Sequence, residues 1–478
     1  MQKSKWWFLL LCFVPAFAFA NPGGHSEPVA SVLLGVTSIL FFAIIGRYLA
    51  RRANQPGVLG ELLMGMIVGN LCYLFGNQLV VILREGSAIY DIVREMLGGV
   101  SLSEAVQDVI HNQYYANQVI HSLSGDNGTE YLKIAYVVDI LSRYGVIFLL
   151  FMVGLETSIV DLKNTGKESF LVAILGIVAP IILGFAVAYF IIPNTTYKVN
   201  LFIGATLSAT SIGITARVLK EMNKLRTREA RTILGAATLD DIFGLIILAV
   251  VSSIIISDSV NMMVAMRIVI SALVFFVGVL LIGPFVLRKA VSFFRFLEPW
   301  ESKLFISFLF IMALAWLASS IQLASIIGAF AAGVILHDDY FKDHEPYKES
   351  RSIQHLVSPL ETILAPMFFT LIGIQVKLET FYNWNVIILA SGLLVAAIVG
   401  KLLSGLGGNR KDDRLLIGIG MLPRGEVGLI FASIGRTLGV ISDNLFTSIV
   451  LMIMITTFIA PPLLKARYTV TTRKTKRG

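Results

Sequence analysis

The chain has 478 residues, of which 56% are hydrophobic and only 15% are charged, and its mean hydropathy is +0.79. This composition excludes an ordinary soluble protein, because apolar runs of about 18–25 residues, each long enough to span a bilayer, recur along the chain. The formal net charge of +8 does not indicate a nucleic-acid partner, since the basic residues of a membrane protein first report which side a loop occupies.

The first 20 residues have the pattern of a cleavable signal peptide. Two lysines precede an apolar stretch at residues 6–17, and Ala18-Phe19-Ala20 resembles a small-residue cleavage site. The alternative interpretation is a retained first helix. Cleavage would leave the mature N-terminus outside the cell membrane.

Thirteen further apolar segments follow, and each is predicted to be a transmembrane helix. Their approximate bounds are 31–50, 57–75, 136–157, 169–192, 199–219, 231–256, 262–287, 303–320, 323–337, 357–376, 384–404, 413–437 and 443–464. The predicted fold class is therefore an all-α membrane protein with 13 transmembrane helices after a signal peptide.

The distribution of basic residues supports this topology. With an external N-terminus, the loops and helix ends predicted to lie inside hold 27 Lys and Arg residues, whereas the outside loops hold 5. Cytoplasmic loops of membrane proteins are enriched in these residues. The basic tail at 465–478 is accordingly predicted to be cytoplasmic.

A long segment at 76–135 separates the second and third predicted helices. It has helical periodicity, and Ser101 precedes Glu104 by three residues, as in a capping box at a helix start. We interpret the segment as an insertion of amphipathic helices on the external surface.

Two neighbouring carboxylates, Asp240 and Asp241, lie inside the apolar segment 231–256. A charge at the centre of a spanning helix costs about 2.5–3.5 kcal/mol on insertion scales, so such residues usually face a polar cavity or a partner. Two adjacent carboxylates cannot both ionise cheaply, so they should exchange a proton as a unit. Because carboxylate oxygens also suit small hard cations, we predict an ion-exchange site. The alternative is an Asp pair that caps or bridges helices.

Short matches indicate an internal repeat. The glycine pair Gly60 and Gly65 corresponds to Gly328 and Gly333, and Gly154 corresponds to Gly373. Under the predicted topology the two copies have opposite orientations, as in many transporters built from inverted repeats.

This repeat pairs segment 199–219 with segment 413–437, and both contain residues that interrupt helices. The first carries a run of hydroxyl residues, and the second carries a proline, two glycines and two charges; the candidate site residues are Thr206, Ser208, Thr210, Ser211, Pro423, Arg424 and Glu426. Broken helices in corresponding positions of two halves indicate a transporter's binding site. For any one hydroxyl, close packing of helices by small residues is the alternative explanation.

Lys401 and Arg424 also lie deep within predicted helices, so each needs a counter-charge. At comparable depth the sequence offers Asp240, Asp241 and Glu426.

Three motifs, at residues 208–219, 235–241 and 421–430, together resemble the monovalent cation:proton antiporter 2 family, especially its bacterial sodium/proton antiporters. The resemblance implies an inverted-repeat antiporter fold with crossed broken helices, a homodimer, and elevator-type alternating access. It further implies that Asp241 binds cation or proton in turn and that Asp240 forms a salt bridge with Lys401, as in electrogenic members. No cofactor is implied.

The resemblance also implies a division of the chain. The dimerisation scaffold would comprise 31–75, 136–157 and 262–376, and the mobile core would comprise 169–256 and 384–464. The predicted location is the bacterial inner membrane, with a role in pH homeostasis.

Alternatives remain open at this point. A potassium/proton antiporter could use the same residues, because cation choice depends on cavity size. A cation channel or membrane sensor could use the Asp pair as a filter or switch. An enzyme is disfavoured, because no phosphate loop, nucleophile elbow or metal-ligand cluster is visible in the sequence.

Overall fold

A computed structural model of the chain describes residues 29–53, 55–86, 88–110, 112–156, 166–193, 195–222, 224, 227–256, 262–321, 323–344 and 351–475. The predicted signal peptide at 1–20 lies outside the described residues. Every regular element within the described ranges is a helix, so the prediction of an all-α fold is confirmed.

The described α-helices, numbered in chain order, are α1 Ala30–Arg52, α2 Gly57–Leu74, α3 Gln78–Glu85, α4 Ala88–Leu97, α5 Leu102–Val109, α6 Gln113–Ser124, α7 Gly128–Glu156, α8 Lys167–Ile191, α9 Tyr197–Ser208, α10 Ile212–Glu221, α11 Arg228–Ile256, α12 Met262–Phe293, α13 Pro299–Ser320, α14 Ser325–Ile335, α15 Ile353–Ile374, α16 Trp384–Ser404, α17 Arg414–Gly420, α18 Glu426–Thr437 and α19 Asp443–Thr475. Short 3-10 helices lie at Phe294–Phe296, Asp338–His344, Leu378–Tyr382 and Gly405–Gly407.

Ten helical stretches of the described chain are long and apolar enough to cross a membrane. They overlap ten of the predicted segments. The other three correspond to shorter helices: 199–219 overlaps α9 and α10, 323–337 contains α14, and 413–437 contains α17 and α18. The protein is therefore a multi-pass membrane protein, and the count of 13 crossings remains a prediction.

The chain forms two compact units. The first comprises Met1–Gly145 and Ile363–Glu379, and the second comprises Val146–Thr362 and Thr380–Gly478. Helices α7 and α15 therefore contribute to both. The scaffold and core implied by the resemblance follow other boundaries and remain a prediction.

Within the first unit, the insertion is a packed layer of four short helices, α3 to α6. Ser101 caps α5 by accepting a hydrogen bond from the Glu104 amide at 3.3 Å, as the capping-box pattern predicts. Ile82, Ile92 and Val119 from the insertion are buried in one apolar core with residues of α1, α7 and α15. Apolar burial of this kind provides the main favourable free energy of folding.

Two ion pairs, each with a buried cationic side chain, attach the insertion to the segment after α15. Arg84 donates to both carboxylate oxygens of Glu379, at 2.6 and 2.7 Å, and Lys377 donates to Glu85 at 2.8 Å. The Tyr115 ring lies 3.6 Å from the Lys377 ammonium, and its hydroxyl donates to Glu379. We call these five residues the clamp.

The glycines of the proposed repeat make equivalent contacts. In the first unit, a Cβ at Gly65 would overlap the backbone of Thr370, and one at Gly373 would lie 3.0 Å from the Gly65 carbonyl carbon. In the second unit, a Cβ at Gly154 would lie 3.0 Å from the Gly333 Cα. Because Gly65 corresponds to Gly333 and Gly154 to Gly373, the two contacts are equivalent under the repeat, and each packs a helix of one copy closely on a helix of the other.

In the second unit, α8 packs against α9, α11 and α16, and α16 packs against α19. A Cβ at Gly400 would come within 2.9 Å of the Pro180 backbone, so α8 and α16 approach each other closely at this point.

Several boundaries differ from the prediction. Helix α7 begins at Gly128, eight residues before the predicted 136. Helix α19 continues to Thr475 through most of the predicted tail at 465–478. The tail is held by packing and charge, because Leu464 and Tyr468 share an apolar cluster with Leu416, and Arg467 pairs with Asp413 at 2.8 Å.

Candidate functional site

Asp240 and Asp241 lie on α11, and both are almost completely buried, with exposed fractions of 1% and 6%. Lys401 on α16 is fully buried, and its Nζ lies 3.2 and 3.4 Å from the two carboxylate oxygens of Asp240. A buried ion pair of this kind is costly to desolvate and strongly destabilising to break. The Asp240 carboxylate and the Lys401 amine, which the sequence predicts to pair, therefore lie together in the interior of the second unit.

Two interrupted helices meet beside this pair. The first break, at residues 209–211, separates α9 from α10, and the second, at 421–425, separates α17 from α18. The Ser211 amide donates to the Pro423 carbonyl at 2.9 Å, and the Thr215 hydroxyl donates to the Gly420 carbonyl at 2.7 Å. Pro423 has no amide hydrogen and cannot continue a helix, so the sequence itself places the second break.

Arg424 occupies the point where the breaks meet. Its guanidinium donates to the carbonyls of Leu207 and Ala209 at the end of α9, and to the Ala397 carbonyl of α16 at 3.3 Å. The last carbonyls of a helix have no intrahelical donor and carry partial negative charge. Arg424 thus supplies a permanent positive charge and hydrogen bonds to backbone groups that the break exposes.

The predicted hydroxyl residues fall into two groups. Thr206 and Ser208 donate to carbonyls of their own helix, Phe202 at 2.9 Å and Ala205 at 2.7 Å. Thr210 and Ser211 lie in the break and are buried. The Thr210 hydroxyl lies beside the Asp240 carboxylate.

Glu426 is the first residue of α18. Its side chain lies outside the described residues.

The sequence interpretation missed the small residues that make room for Lys401. A Cβ at Gly176 of α8 would lie 3.6 Å from the Lys401 Nζ and 3.3 Å from the Ser404 Cβ. Ser404 also donates to the Lys401 carbonyl at 2.6 Å. Nothing in the sequence singles out Gly176 among the glycines of an apolar segment, because its importance comes from the packing of α8 on α16.

The formal charges of the site cancel. Asp240 and Asp241 carry two negative charges when ionised, and Lys401 and Arg424 carry two positive charges. With a proton on Asp241 the same four groups carry one net positive charge, and a cation that entered without the release of that proton would add a further buried charge, which is expensive at low dielectric. No group of three or more His, Cys, Asp or Glu residues in the described ranges is arranged to hold a metal ion.

Comparison with known proteins gives consistent matches over most of the chain. The sequence model described as "Sodium/hydrogen exchanger, transmembrane" matches residues 36–466. The high-affinity Na+/H+ antiporter NhaS3 of Synechocystis sp. is 34% identical over 448 residues, which cover 92% of this chain and 90% of that protein.

Two further relatives and one solved structure also match most of the chain. The Na+/H+-K+ antiporter GerN of Bacillus cereus is 34% identical over 333 residues, covering 68% of this chain and 82% of GerN. A Na+/H+ antiporter of Enterococcus hirae is 30% identical over 350 residues, covering 72% and 88%. The structure of the sodium proton antiporter MjNhaP1 from Methanocaldococcus jannaschii at pH 8 matches with a TM-score of 0.57 and 16% identity, covering 93% of this chain and 98% of MjNhaP1. That likeness shows a shared fold.

Proposed function

The chain belongs to the sodium/hydrogen exchanger family, and from this premise we propose that it exchanges a monovalent cation, Na+ or Li+, for protons across a membrane. The family membership confirms the predicted resemblance to monovalent cation:proton antiporters. The observation that carries the proposal is the buried Asp240–Lys401 pair beside Asp241, at the meeting point of two broken helices. The relatives are transporters and not enzymes.

In the proposed cycle, Asp241 binds a cation and a proton in turn. When the cation enters, the Asp241 proton leaves, Asp240 exchanges its bond to Lys401 for a bond to the cation, and the Lys401 ammonium releases a second proton, so that two protons are exchanged for one cation. Thr210 and the carbonyls near the breaks replace part of the cation's hydration shell. Exchange is coupled because the same oxygens cannot hold both ligands, and because adding both charges to a buried site is unfavourable.

Further features of the proposal follow from the resemblance and from the charge distribution. We expect a homodimer in the bacterial inner membrane, with the N-terminus outside and the C-terminus cytoplasmic. Elevator-type movement would carry the site between the two sides. A charge moved across the membrane is worth about 2.3 kcal/mol per 100 mV, so an electrogenic cycle could extrude cations and serve pH homeostasis.

The test of the proposal uses purified protein in proteoliposomes. Sodium-driven proton movement is followed for the wild type, for Asp241→Asn, and for the matched control Asp91→Asn in the insertion. We expect D241N to abolish exchange and D91N, at an exposed pair with Arg94, to preserve it. Undiminished exchange in D241N would overturn the assignment.

Charge movement is a separate question. Recording the current that accompanies exchange in the wild type and in Lys401→Gln tests whether Lys401 makes transport electrogenic. A wild-type current that K401Q lacks supports the proposal, and equal currents contradict it.

Potassium is the second candidate cation, because the name of the relative GerN includes K+. Parallel exchange measurements with sodium, lithium and potassium decide between the two. If exchange saturated at a lower concentration of potassium than of sodium, potassium would replace sodium as the proposed cation. The assigned site residues would stay the same.

A further inference from the structure

Helix α12 presents an exposed apolar stripe. Its span, Val274–Phe293, is 28% buried, which is the lowest share among the ten spans of the described chain. Leu281, Phe285 and Phe293 are 73%, 63% and 72% exposed. They are separated by four and eight residues, so they lie on one side of the helix. Because the surroundings of a spanning helix are the acyl chains of the bilayer, this stripe is available to lipid.

Two cations lie at the end of this stripe. Lys289 is part of the stripe, and its Nζ lies 5.9 Å from the centre of the Phe285 ring. The guanidinium carbon of Arg288 lies 5.9 Å from the centre of the Tyr340 ring, in the 3-10 helix Asp338–His344. Both basic side chains are exposed, and neither forms an ion pair with a carboxylate within the described ranges. Aromatic rings thus support the two charges, and their hydrogen-bond donors can reach an external anion.

Two carboxylates in the neighbouring segments are engaged by other groups. Glu298, in the turn after α12, accepts a hydrogen bond from the Trp300 indole at 2.8 Å. Asp338 pairs with Lys303 at 3.3 Å and accepts a hydrogen bond from the Ile353 amide at 2.9 Å. The two cations of α12 are therefore not neutralised by direct contact with either carboxylate.

Phenylalanines place the cations at the depth of lipid headgroups. The rings of Phe293, Phe294 and Phe296 lie between 5.2 and 6.3 Å apart, where α12 passes into the 3-10 turn before α13. Phe296 is exposed, like Phe293. Aromatic side chains are typical of the interface between bilayer and water. Lys289 precedes Phe293 by four residues, or about 6 Å along the helix, so its ammonium lies close to this interface.

From this geometry we propose that the end of α12 binds an anionic phospholipid. The phosphate lies between Arg288 and Lys289, which supply charge-assisted hydrogen bonds. The acyl chains lie along the stripe of Leu281 and Phe285. A soluble anion lacks acyl chains to cover the stripe, and the cation of a zwitterionic headgroup opposes the two basic residues. Anionic lipid therefore fits both parts of the site, which is separate from the carboxylates of α11.

Paired substitutions test this lipid site. The double variant Arg288→Gln with Lys289→Gln removes both charges, whereas R288K/K289R keeps them. R51Q/R52Q is the matched control, because Arg51 and Arg52 are also adjacent, exposed cations in the last turn of a spanning helix, α1. A general attraction of anionic lipid to basic residues would act at both places, whereas the proposed site acts only at α12.

The measurement is thermal unfolding of the purified protein in neutral detergent, titrated with phosphatidylglycerol or with phosphatidylcholine of the same acyl chains. We expect phosphatidylglycerol to raise the melting temperature of the wild type further, because a ligand that binds the folded protein stabilises it. In R288Q/K289Q the midpoint of this titration should rise about tenfold, since charge-assisted hydrogen bonds are lost. R51Q/R52Q should respond as the wild type does, and R288K/K289R should keep most of the response.

Native mass spectrometry gives a second measurement that does not depend on stability. The wild type should retain one more phosphatidylglycerol per chain than R288Q/K289Q. This count decides the case if the double variant melts at a different temperature before lipid is added. Neither measurement uses exchange activity, so failure of the exchange proposal would leave the result for the lipid site unchanged.

Several outcomes would overturn the lipid site. These are equal responses of the wild type to the two lipids, an unchanged preference in R288Q/K289Q, and an equal loss of preference in R51Q/R52Q. An equal rise in melting temperature with inorganic phosphate would assign a soluble anion to the two cations. Dissociation of a dimer in R288Q/K289Q without loss of bound lipid would show that this face contacts a second copy of the chain.

Discussion

Lys401 is a fully buried amine whose charge is matched by one neighbouring carboxylate, Asp240. Removing one partner of a buried pair typically costs about 3–5 kcal/mol, because the other charge stays buried without compensation, whereas removing both costs much less. The position of Lys401 in a hydrophobic helix predicts that it needs a counter-charge. Depth in the apolar segments left three acidic candidates, the family resemblance implied Asp240, and the packing of α11 and α16 brings Asp240 to Lys401.

The first prediction concerns this pair. Lys401→Gln should lower the melting temperature of the purified protein, and the double variant D240N/K401Q should recover most of the loss, since no buried charge is then left alone. Thermal unfolding is measured for the wild type, both single variants and the double variant, which together form a double-mutant cycle. Additive losses in the double variant would show that the two side chains are not coupled.

A second prediction at this scale concerns Gly176. Gly176→Ala places a methyl group 3.6 Å from the Lys401 ammonium, so we expect a shift in the pH profile of exchange with little loss of stability. Gly244→Ala is the control, because a Cβ at Gly244, three residues after Asp241, meets no atom within 4 Å. Unchanged pH profiles in both variants would remove Gly176 from the site.

At the scale of elements, the apolar segments predict the positions of the helices well, because a spanning helix needs a long uninterrupted apolar run. Pro423 and the hydroxyl run indicate both breaks. The ends of helices are less predictable, since α19 continues past its apolar segment through contacts of Tyr468 and Arg467 that only the fold creates. The apolar faces of the insertion are buried against α1, α7 and α15. This contact, too, is created by the fold and is not indicated by the sequence.

The repeat yields a prediction for pairs of elements. Gly65→Ala and Gly333→Ala are equivalent positions in the two copies, and a Cβ at either would overlap a backbone carbonyl, of Thr370 and Phe151 respectively. Both variants should therefore destabilise the protein to a similar extent, as measured by thermal unfolding. Gly278→Ala, where a Cβ meets no atom within 4 Å, should be nearly neutral. A large loss for only one of the two glycines would contradict their equivalence.

At the scale of the whole molecule, the clamp includes Glu379, the last residue of the first unit, after which the chain enters the second part of the second unit at Thr380. Arg84 and Glu379 are 295 residues apart in sequence, so no local pattern could reveal their contact. The insertion at 76–135 thus has a structural connection that composition and periodicity do not predict.

This contact leads to a prediction about stability. Arg84→Met should destabilise the protein more than the double variant R84M/E379M, because the single change leaves Glu379 near buried groups without its cationic partner. Thermal unfolding in detergent is the measurement, and Arg94→Met, at an exposed pair in the same insertion, is the control. Equal losses for R84M and R94M would show that the clamp contributes no more than a surface ion pair.

In the proposed cycle, one buried site holds either a cation or a proton. The most direct measurement is the release of protons when sodium is added to the purified protein in weakly buffered detergent solution, followed with a pH-sensitive dye. The wild type should release protons in proportion to the protein present, and D241N should release none. No release from the wild type, or equal release from both proteins, would contradict the account.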